Sequence, residues 1–255
     1  MADSLADGIT AVVLAAGDGR RLRPLTDLLP KALCPVGGVA LVDRAIVSVR
    51  RAVGGDVAVN VHHGRDAMLA HLDGGSDVHV SVEEPVALGT AGALAAMSGW
   101  LDGRSALVVN ADTVHDEDLA AFVGGWDGER VRILMVGEPP FGPRSGVVAS
   151  IVPAWAAADL RPEPSGLWEV MWRSELEAGR IDAVAASGVV IDCGTPAQYL
   201  RANLHVSGGA TVIGDGAIVL GVAERSVLWP GTVVREGEHL RDAVRADIRR
   251  TVLVR

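Results

Sequence analysis

Lysine is all but missing from this sequence of 255 residues: Lys31 is the sole lysine among 23 basic residues, and the others are arginine. So strong a bias points to a background pressure against lysine, and the one survivor therefore carries information. An ammonium is a compact point charge and a guanidinium a planar fork, and the two do not interchange where a phosphate must be reached end-on. Cysteine is nearly as scarce. Cys34 and Cys193 form no metal-ligand spacing and fit a reducing compartment. No apolar run approaches the roughly 18–20 residues of a membrane span. No charged-then-apolar leader with a cleavage site appears, so a cytoplasmic location is expected. The formal net charge of −9 argues against a nucleic-acid or anionic-membrane surface, so anionic substrates must be held by local basic residues.

Those local residues cluster in one stretch. The β-rich apolar run from Ile9 to Leu14 ends in Ala15-Ala16-Gly17-Asp18-Gly19-Arg20-Arg21-Leu22-Arg23-Pro24-Leu25-Thr26, closed by Pro30-Lys31-Ala32-Leu33-Cys34-Pro35-Val36. A buried strand that passes into small residues, glycines and arginines reads as a phosphate-binding loop. Glycines let backbone N–H groups approach phosphate oxygens, and arginines supply bidentate charge-assisted bonds. A dinucleotide fingerprint would need a third glycine where Leu22 stands, which argues against a nicotinamide oxidoreductase. The Gly-Lys-Ser/Thr of a Walker loop is absent. A plain tight turn explains neither the three arginines nor the Pro-Lys that follows.

Further along, the expected elements are a helix over 40–52, a strand over 57–62, a short helix over 65–72 stopped by Asp73-Gly74-Gly75, and a strand over 78–82. Residues 1–8 read as a frayed lead-in. Glu83-Glu84-Pro85-Val86-Ala87-Leu88 leads into Gly89-Thr90-Ala91-Gly92 and an Ala/Leu helix. The apolar strand Ala106–Asn110 should be central and ends at Asp112, and ligands in such sheets collect at the carboxyl ends of strands. Asp116 is expected to cap the helix that follows. A second strand ends in Asp192, then turns through Gly194 and Thr195 into a helix over 196–206 with proline in its first turn. This alternation predicts an α/β fold, a Rossmann-like, mostly parallel sheet with helices on both faces.

The paired motifs resemble those of the nucleotidyltransferases that make nucleotide sugars from a nucleoside triphosphate and a sugar 1-phosphate. Four motifs in the family's order cover nearly all of residues 9–205. The resemblance implies that Leu14, Ala15, Ala16, Gly17, Gly19 and Arg20 bind the nucleotide. It implies that Gly89 and Thr90 cover the base and that Glu83 or Glu84 reads the base edge. A carboxylate accepting two N–H bonds suits guanine. Arg21, Lys31 and Asp112 are the implied catalytic residues, and Asp112 and Asp192 the implied ligands of Mg²⁺. Gly146, Ser165, Gly166 and Glu169 would contact the sugar. The family's sugar-phosphate lysine has no counterpart, and Arg161 is the nearest substitute, with Arg144 second. Trp155, Trp168 and Trp172 either stack on a sugar or belong to the core.

From residue 208 on, apolar corners recur at roughly six-residue steps, which looks like a short left-handed β-helix of hexapeptide repeats. The expected organisation is thus a catalytic domain over 1–207 and an appendage over 208–255, and the short stack hints at a homodimer. The implied reaction is NTP plus sugar 1-phosphate giving NDP-sugar and pyrophosphate. Guanylyl transfer to a mannose 1-phosphate-like substrate is the first expectation, and uridylyl transfer to another sugar 1-phosphate the alternative. The reading from another class is a non-catalytic nucleotide-sugar-binding regulatory subunit.

Overall fold

A computed structural model describes residues 8–73, 77–248 and 250–254. The lead-in over 1–7 and the Gly74-Gly75 helix stop lie outside the described residues. The chain forms two compact units. The first comprises Met1–Gly17 and Ala45–Val190, and the second Asp18–Arg44 and Ile191–Arg255.

The first unit is built on a seven-stranded sheet. Its strands are β1 (Ile9–Leu14), β2 (Val57–Val61), β3 (Val78–Val82), β4 (Ser105–Asn110), β5 (Val131–Met135), β6 (Val147–Val152) and β7 (Ile181–Ala185). Their order across the sheet is β7-β5-β6-β4-β1-β2-β3. All pair in parallel except β6, which runs antiparallel to both of its neighbours. β1 sits fifth of seven from the β7 side, with Leu14 opposite Asn110 on one flank and Asn60 on the other. Its residues Ala11, Val12 and Val13 are fully buried whichever face they point to, as a strand covered on both faces requires.

The helices flank these strands in sequence. They are α1 (Leu41–Val53), α2 (Arg65–Leu72), α3 (Gly89–Ala96), α4 (Leu119–Gly124) and α5 (Ala154–Ala158). α1 carries Asp43 in its first turn and Arg50 and Arg51 in its last, which suits the helix dipole. α4 is capped by Asp118, whose side chain accepts from the N–H groups of Ala120 and Ala121. The expected cap, Asp116, sits two residues too early, directly after the Thr113–His115 strand, where its N–H donates to the carbonyl of Val189. A π-helical turn over Trp168–Trp172 precedes α6 (Arg173–Glu177). Trp168 and Trp172 pack edge-on against Phe141 and belong to the core, which answers their sequence alternative.

The second unit holds three 3-10 turns, Arg20–Leu22, Leu25–Asp27 and Lys31–Leu33, anchored by the fully buried Leu22 and Leu25. It also contains α7 (Pro196–Val206), begun by a Thr195 cap with Pro196 behind it as expected. After α7 come eight short strands: β8 (Val212–Ile213), β9 (Ile218–Val219), β10 (Val222–Glu224), β11 (Val227–Leu228), β12 (Val233–Val234), β13 (His239–Arg241), β14 (Ala243–Arg245) and β15 (Thr251–Leu253). They form parallel ladders β8-β11-β14, β9-β12 and β10-β13, and β15 closes the first one antiparallel. Leu228, Val234, Leu240 and Ala243 form a small core of their own.

Tyr199 of α7 ties this unit together. It is completely buried, donates its hydroxyl hydrogen to the carbonyl of Pro35 and accepts from Trp229 Nε1 at 3.0 Å. Tyr199→Phe leaves a buried indole N–H and a carbonyl unpaired, so urea denaturation should show a loss of about 1–3 kcal/mol.

Candidate functional site

In the first unit the carboxyl ends of the parallel strands bring several sequence-predicted residues to one edge. β1 ends at Leu14, whose carbonyl accepts from the N–H of Ala111, and Asp112 follows directly. Thr113 Oγ1 lies 3.5 Å from Asp112 Oδ1. Gly146 reaches the same edge, because its carbonyl accepts from Val136 just past the end of β5. Gly17 stands in open space, with no atom within 4 Å of where a side chain would begin. His115, in the short strand Thr113–His115, is partly buried and its Nδ1 has no partner. Desolvation pushes its pKa below the usual imidazole range despite Glu117 and Asp116 beside it.

The Gly-Thr-Ala-Gly segment has a protein partner. The N–H of Ser165 donates to the carbonyl of Leu88, that of Ala91 donates to the carbonyl of Ser165, and that of Leu167 donates to Thr90 Oγ1 at 2.8 Å. A methyl at Gly89 would lie 2.5 Å from the Ser165 carbonyl oxygen, and one at Gly92 would lie 2.2 Å from that of Glu163. Gly89, Gly92 and Thr90 therefore clamp the 163–167 segment. The expectation for Glu83 is corrected. It is 1% exposed, and each of its carboxylate oxygens accepts from the protein, Oε1 from Asn60 and Oε2 from the N–H of Leu88. Its edge is spent inside the protein, so it does not read a base. Glu84, the alternative, pairs with Arg65.

The predicted sugar residues divide. Gly166 closes on Glu169, whose Oε2 would be 2.2 Å from a Gly166 methyl. Arg161 and Ser165 instead line a cavity of about 370 Å³ with Trp155, Glu163, Val170 and Glu175. α5, which carries Trp155, is fastened to the start of β4 through Ala154 N–H and Ser105 Oγ at 3.0 Å. Arg161 thus shares its cavity with α5 and with the 163–175 segment that also carries Ser165.

In the second unit the arginines of the loop separate by partner. Arg20 pairs with Asp18 at 2.6 Å and Arg23 with Asp27 at 3.5 Å. Arg21 alone of the three reaches Asp192, Nη2 to Oδ2 at 3.5 Å. Lys31 approaches the other oxygen of the same carboxylate, Nζ to Oδ1 at 3.5 Å. Lys31 is 8% exposed, whereas the side chains of Arg21 and Asp192 are 71% and 45% exposed. One carboxylate thus stands between a buried ammonium and a guanidinium open to solvent. Two glycines make this packing possible. At Gly19, in the left-handed region at φ 63°, a methyl would fall 2.8 Å from Thr26 Cγ2 and 3.0 Å from Lys31 Cβ. A methyl at Gly194 would fall 2.9 and 3.0 Å from the Asp192 oxygens and 2.8 Å from Arg21 Nη2. Cys34 beside Lys31 is an inert thiol: burial pushes its pKa up to about 12, against the lowering pull of the ammonium.

Among the described residues no group of three or more His, Cys, Asp and Glu side chains is arranged to hold a metal by itself, and no helix is long and apolar enough to cross a membrane. Asn60, buried between Ala15 and Glu83, is not singled out by sequence reading. Nothing in a Val-Asn-Val strand marks the asparagine as more than an interruption of the apolar pattern.

Residues 10–136 match the family model described as nucleotidyl transferase. The chain is 35% identical over 136 residues to N-acetylmuramate alpha-1-phosphate uridylyltransferase of Caulobacter vibrioides, covering 49% of this chain and 56% of the relative. It is 34% identical over 164 residues to the enzyme of the same name from Neisseria meningitidis serogroup B, covering 61% and 69%. The first of these matches spans little more than half of the relative's length. HddC from Yersinia pseudotuberculosis, solved with GMP-PN, superposes with a TM-score of 0.63 at 17% identity over 77% of this chain and 99% of that one, a likeness of fold.

The clamp at Gly92 carries a prediction independent of any ligand. Gly92→Ala forces a methyl against a backbone carbonyl that cannot rotate away, so it should cost about 1–3 kcal/mol. Hydrogen exchange should show the loss of protection at Ser165 and Leu167.

Proposed function

Because this chain belongs to the sugar-1-phosphate nucleotidyltransferase family, we propose that it transfers a uridylyl group from UTP to a sugar 1-phosphate and releases pyrophosphate. The observation that carries the reading is Asp192 set between Lys31 and Arg21 on a glycine turn with no room for a side chain. Uridylyl transfer takes the place of guanylyl transfer because the guanine expectation leaned on a glutamate edge that Glu83 does not offer. The relatives at 34–35% identity are uridylyltransferases acting on N-acetylmuramate 1-phosphate.

In the proposed reaction an oxygen of the sugar phosphate attacks the α-phosphorus in line, and pyrophosphate leaves with the electrons of the broken P–O bond. Such chemistry needs positioning and charge stabilisation more than covalent help. Leu14, Ala15, Ala16, Gly17, Gly19 and Arg20 form the nucleotide loop, and the open space at Gly17 admits a phosphate against the backbone. The exposed Arg21 is suited to the β- and γ-phosphates and the departing pyrophosphate. The buried Lys31 is suited to charge growing on the α-phosphate, since a desolvated ammonium is effective there. Gly146, Ser165, Gly166 and Glu169 are proposed to face the sugar.

The family generally uses a divalent metal. Asp112 and Asp192 are the proposed ligands, since their carboxylates are the hard oxygen donors that Mg²⁺ would take. When bound, the ion supplies Lewis-acid polarisation of the phosphoryl oxygens. The ladders over 208–255 fit a short left-handed β-helix appended to a catalytic segment over 1–207. Its first rung leaves Ile213 57% and Val219 37% exposed, whereas their counterparts Leu228 and Val234 are buried, a face suited to a homodimer.

The test is pyrophosphate release with Mg²⁺ across a grid of NTPs and sugar 1-phosphates. UTP with an N-acetylated sugar acid 1-phosphate should give turnover, and GTP with mannose 1-phosphate should not. Nucleotide-sugar binding with silence across the grid would favour the regulatory reading. Asp112→Ala should abolish turnover without unfolding the protein, as checked by circular dichroism. Gly194→Ala should lower kcat about tenfold or more by displacing the Asp192 carboxylate. Near-normal rates in either variant would sink its assignment.

A further inference from the structure

A buried chain of hydrogen bonds crosses the first unit beneath the edge where the nucleotide loop begins. Ala15, the first residue past β1, donates its N–H to Asn60 Oδ1 at 2.6 Å. Asn60 Nδ2 donates to Glu83 Oε1 at 2.7 Å, and Leu88 N–H donates to Glu83 Oε2 at 2.7 Å. Asn60 is 3% exposed and Glu83 1%. The main chain of Glu83 is fixed as well: its N–H donates to the carbonyl of Val61, and its carbonyl accepts from His62 Nδ1 at 2.9 Å.

This chain has a single direction. A carboxylate has no hydrogen to donate, so Glu83 accepts at both ends and obliges Asn60 to present its NH₂. That in turn fixes the asparagine oxygen toward Ala15. Every donor has one acceptor, and reversing any member leaves two donors or two acceptors facing each other in a dry interior, where an unpaired group is costly. The two ends of the relay are the first amide of the phosphate loop and the turn that opens the Gly-Thr-Ala-Gly helix. We propose that Asn60 and Glu83 are positioning residues that fix the spacing between Ala15 and Leu88, and through it the width of the slot that takes the nucleobase. This rests on the nucleotide-binding reading above. Neither residue touches substrate; both act through the backbone they hold.

The test uses the directionality. Glu83→Gln keeps the shape but replaces one acceptor by a donor, which then faces either Leu88 N–H or the Asn60 amide. In the second case Asn60 must turn over and present its NH₂ to Ala15. Amide hydrogen exchange should therefore quicken in this variant at Leu88 in the first case and, in the second, at Ala15, which Glu83 does not contact. With the productive substrate pair, KM for the NTP should rise about tenfold, while kcat and KM for the sugar 1-phosphate stay within about twofold. Asn60→Ser serves as the second variant should Glu83→Gln fold poorly. It should quicken exchange at Leu88, the far end, and the double variant should be no worse than the more impaired single one. Unchanged exchange at the far residue in both variants, or a fall in kcat with the NTP KM unmoved, would overturn the relay. If the wild-type protein turns over no NTP, the proposed reaction fails, and the exchange measurement still decides whether Ala15 and Leu88 are coupled.

Discussion

The carboxylate of Asp192, with Lys31 at one oxygen and Arg21 at the other, is the interaction on which the proposed phosphate site depends. A chain of net charge −9 repels polyphosphates at long range, so attraction has to be built within a few ångströms. Lys31 is buried and its ammonium lies beside a carboxylate, which compensates the desolvation of the charge. Arg21 remains mostly solvent-exposed, so its partnership with Asp192 is weak and exchangeable. In the proposed reaction a phosphate would therefore recruit Arg21 at small cost, while Lys31 would keep a fixed position. The two cations differ in chemistry and also in how tightly the fold holds them. Gly19 and Gly194 are the steric condition for both, since a side chain at either position would intrude on the group it packs against.

Much of this was legible before the structure. β1 and β4 announce themselves as continuous apolar runs, because strands covered on both faces have no polar side to alternate with. α7 could be placed to the residue from Thr195-Pro196, and the loop motif singled out Arg21 and Lys31 from the other basic residues. What was not legible came from contacts remote in sequence. Asp116 and Asp118 are equally good caps on paper, and in the fold Asp116 still pairs with Val189 beside the strand before it, so the helix begins after Asp118. The Gly-Thr-Ala-Gly glycines read correctly as sites of close approach, yet a sequence does not say what approaches. In the fold it is the carbonyls of Glu163 and Ser165. Tyr199 likewise gives no sign that it accepts from Trp229, thirty residues away.

Glu83 shows why that distinction matters for specificity. A glutamate at the end of a strand, beside a glycine-rich helix start, is chemically suited to reading guanine. Burial at 1% exposure with two donors already in place makes the same carboxylate a structural acceptor. The first reading follows from residue type and position along the chain. The second depends on an asparagine twenty-three residues away that fills the acceptor first.

If the carboxylate is committed internally, discrimination among bases falls to backbone groups and to the shape of the slot. Shape is a weaker discriminator than a dedicated polar edge, since an imperfect fit in a slot costs less than a buried polar group left unpaired. Its sharpness then depends on how rigidly the walls are held. In the proposed arrangement one wall would begin at Ala15, held by Asn60, and the other at Leu88, held by Glu83 through its N–H and by Ser165 through its carbonyl. Base selectivity would then depend on the Asn60–Glu83 pair even though neither side chain meets the base. A small loosening of the pair widens the slot for every nucleotide at once, so selectivity and affinity decline together.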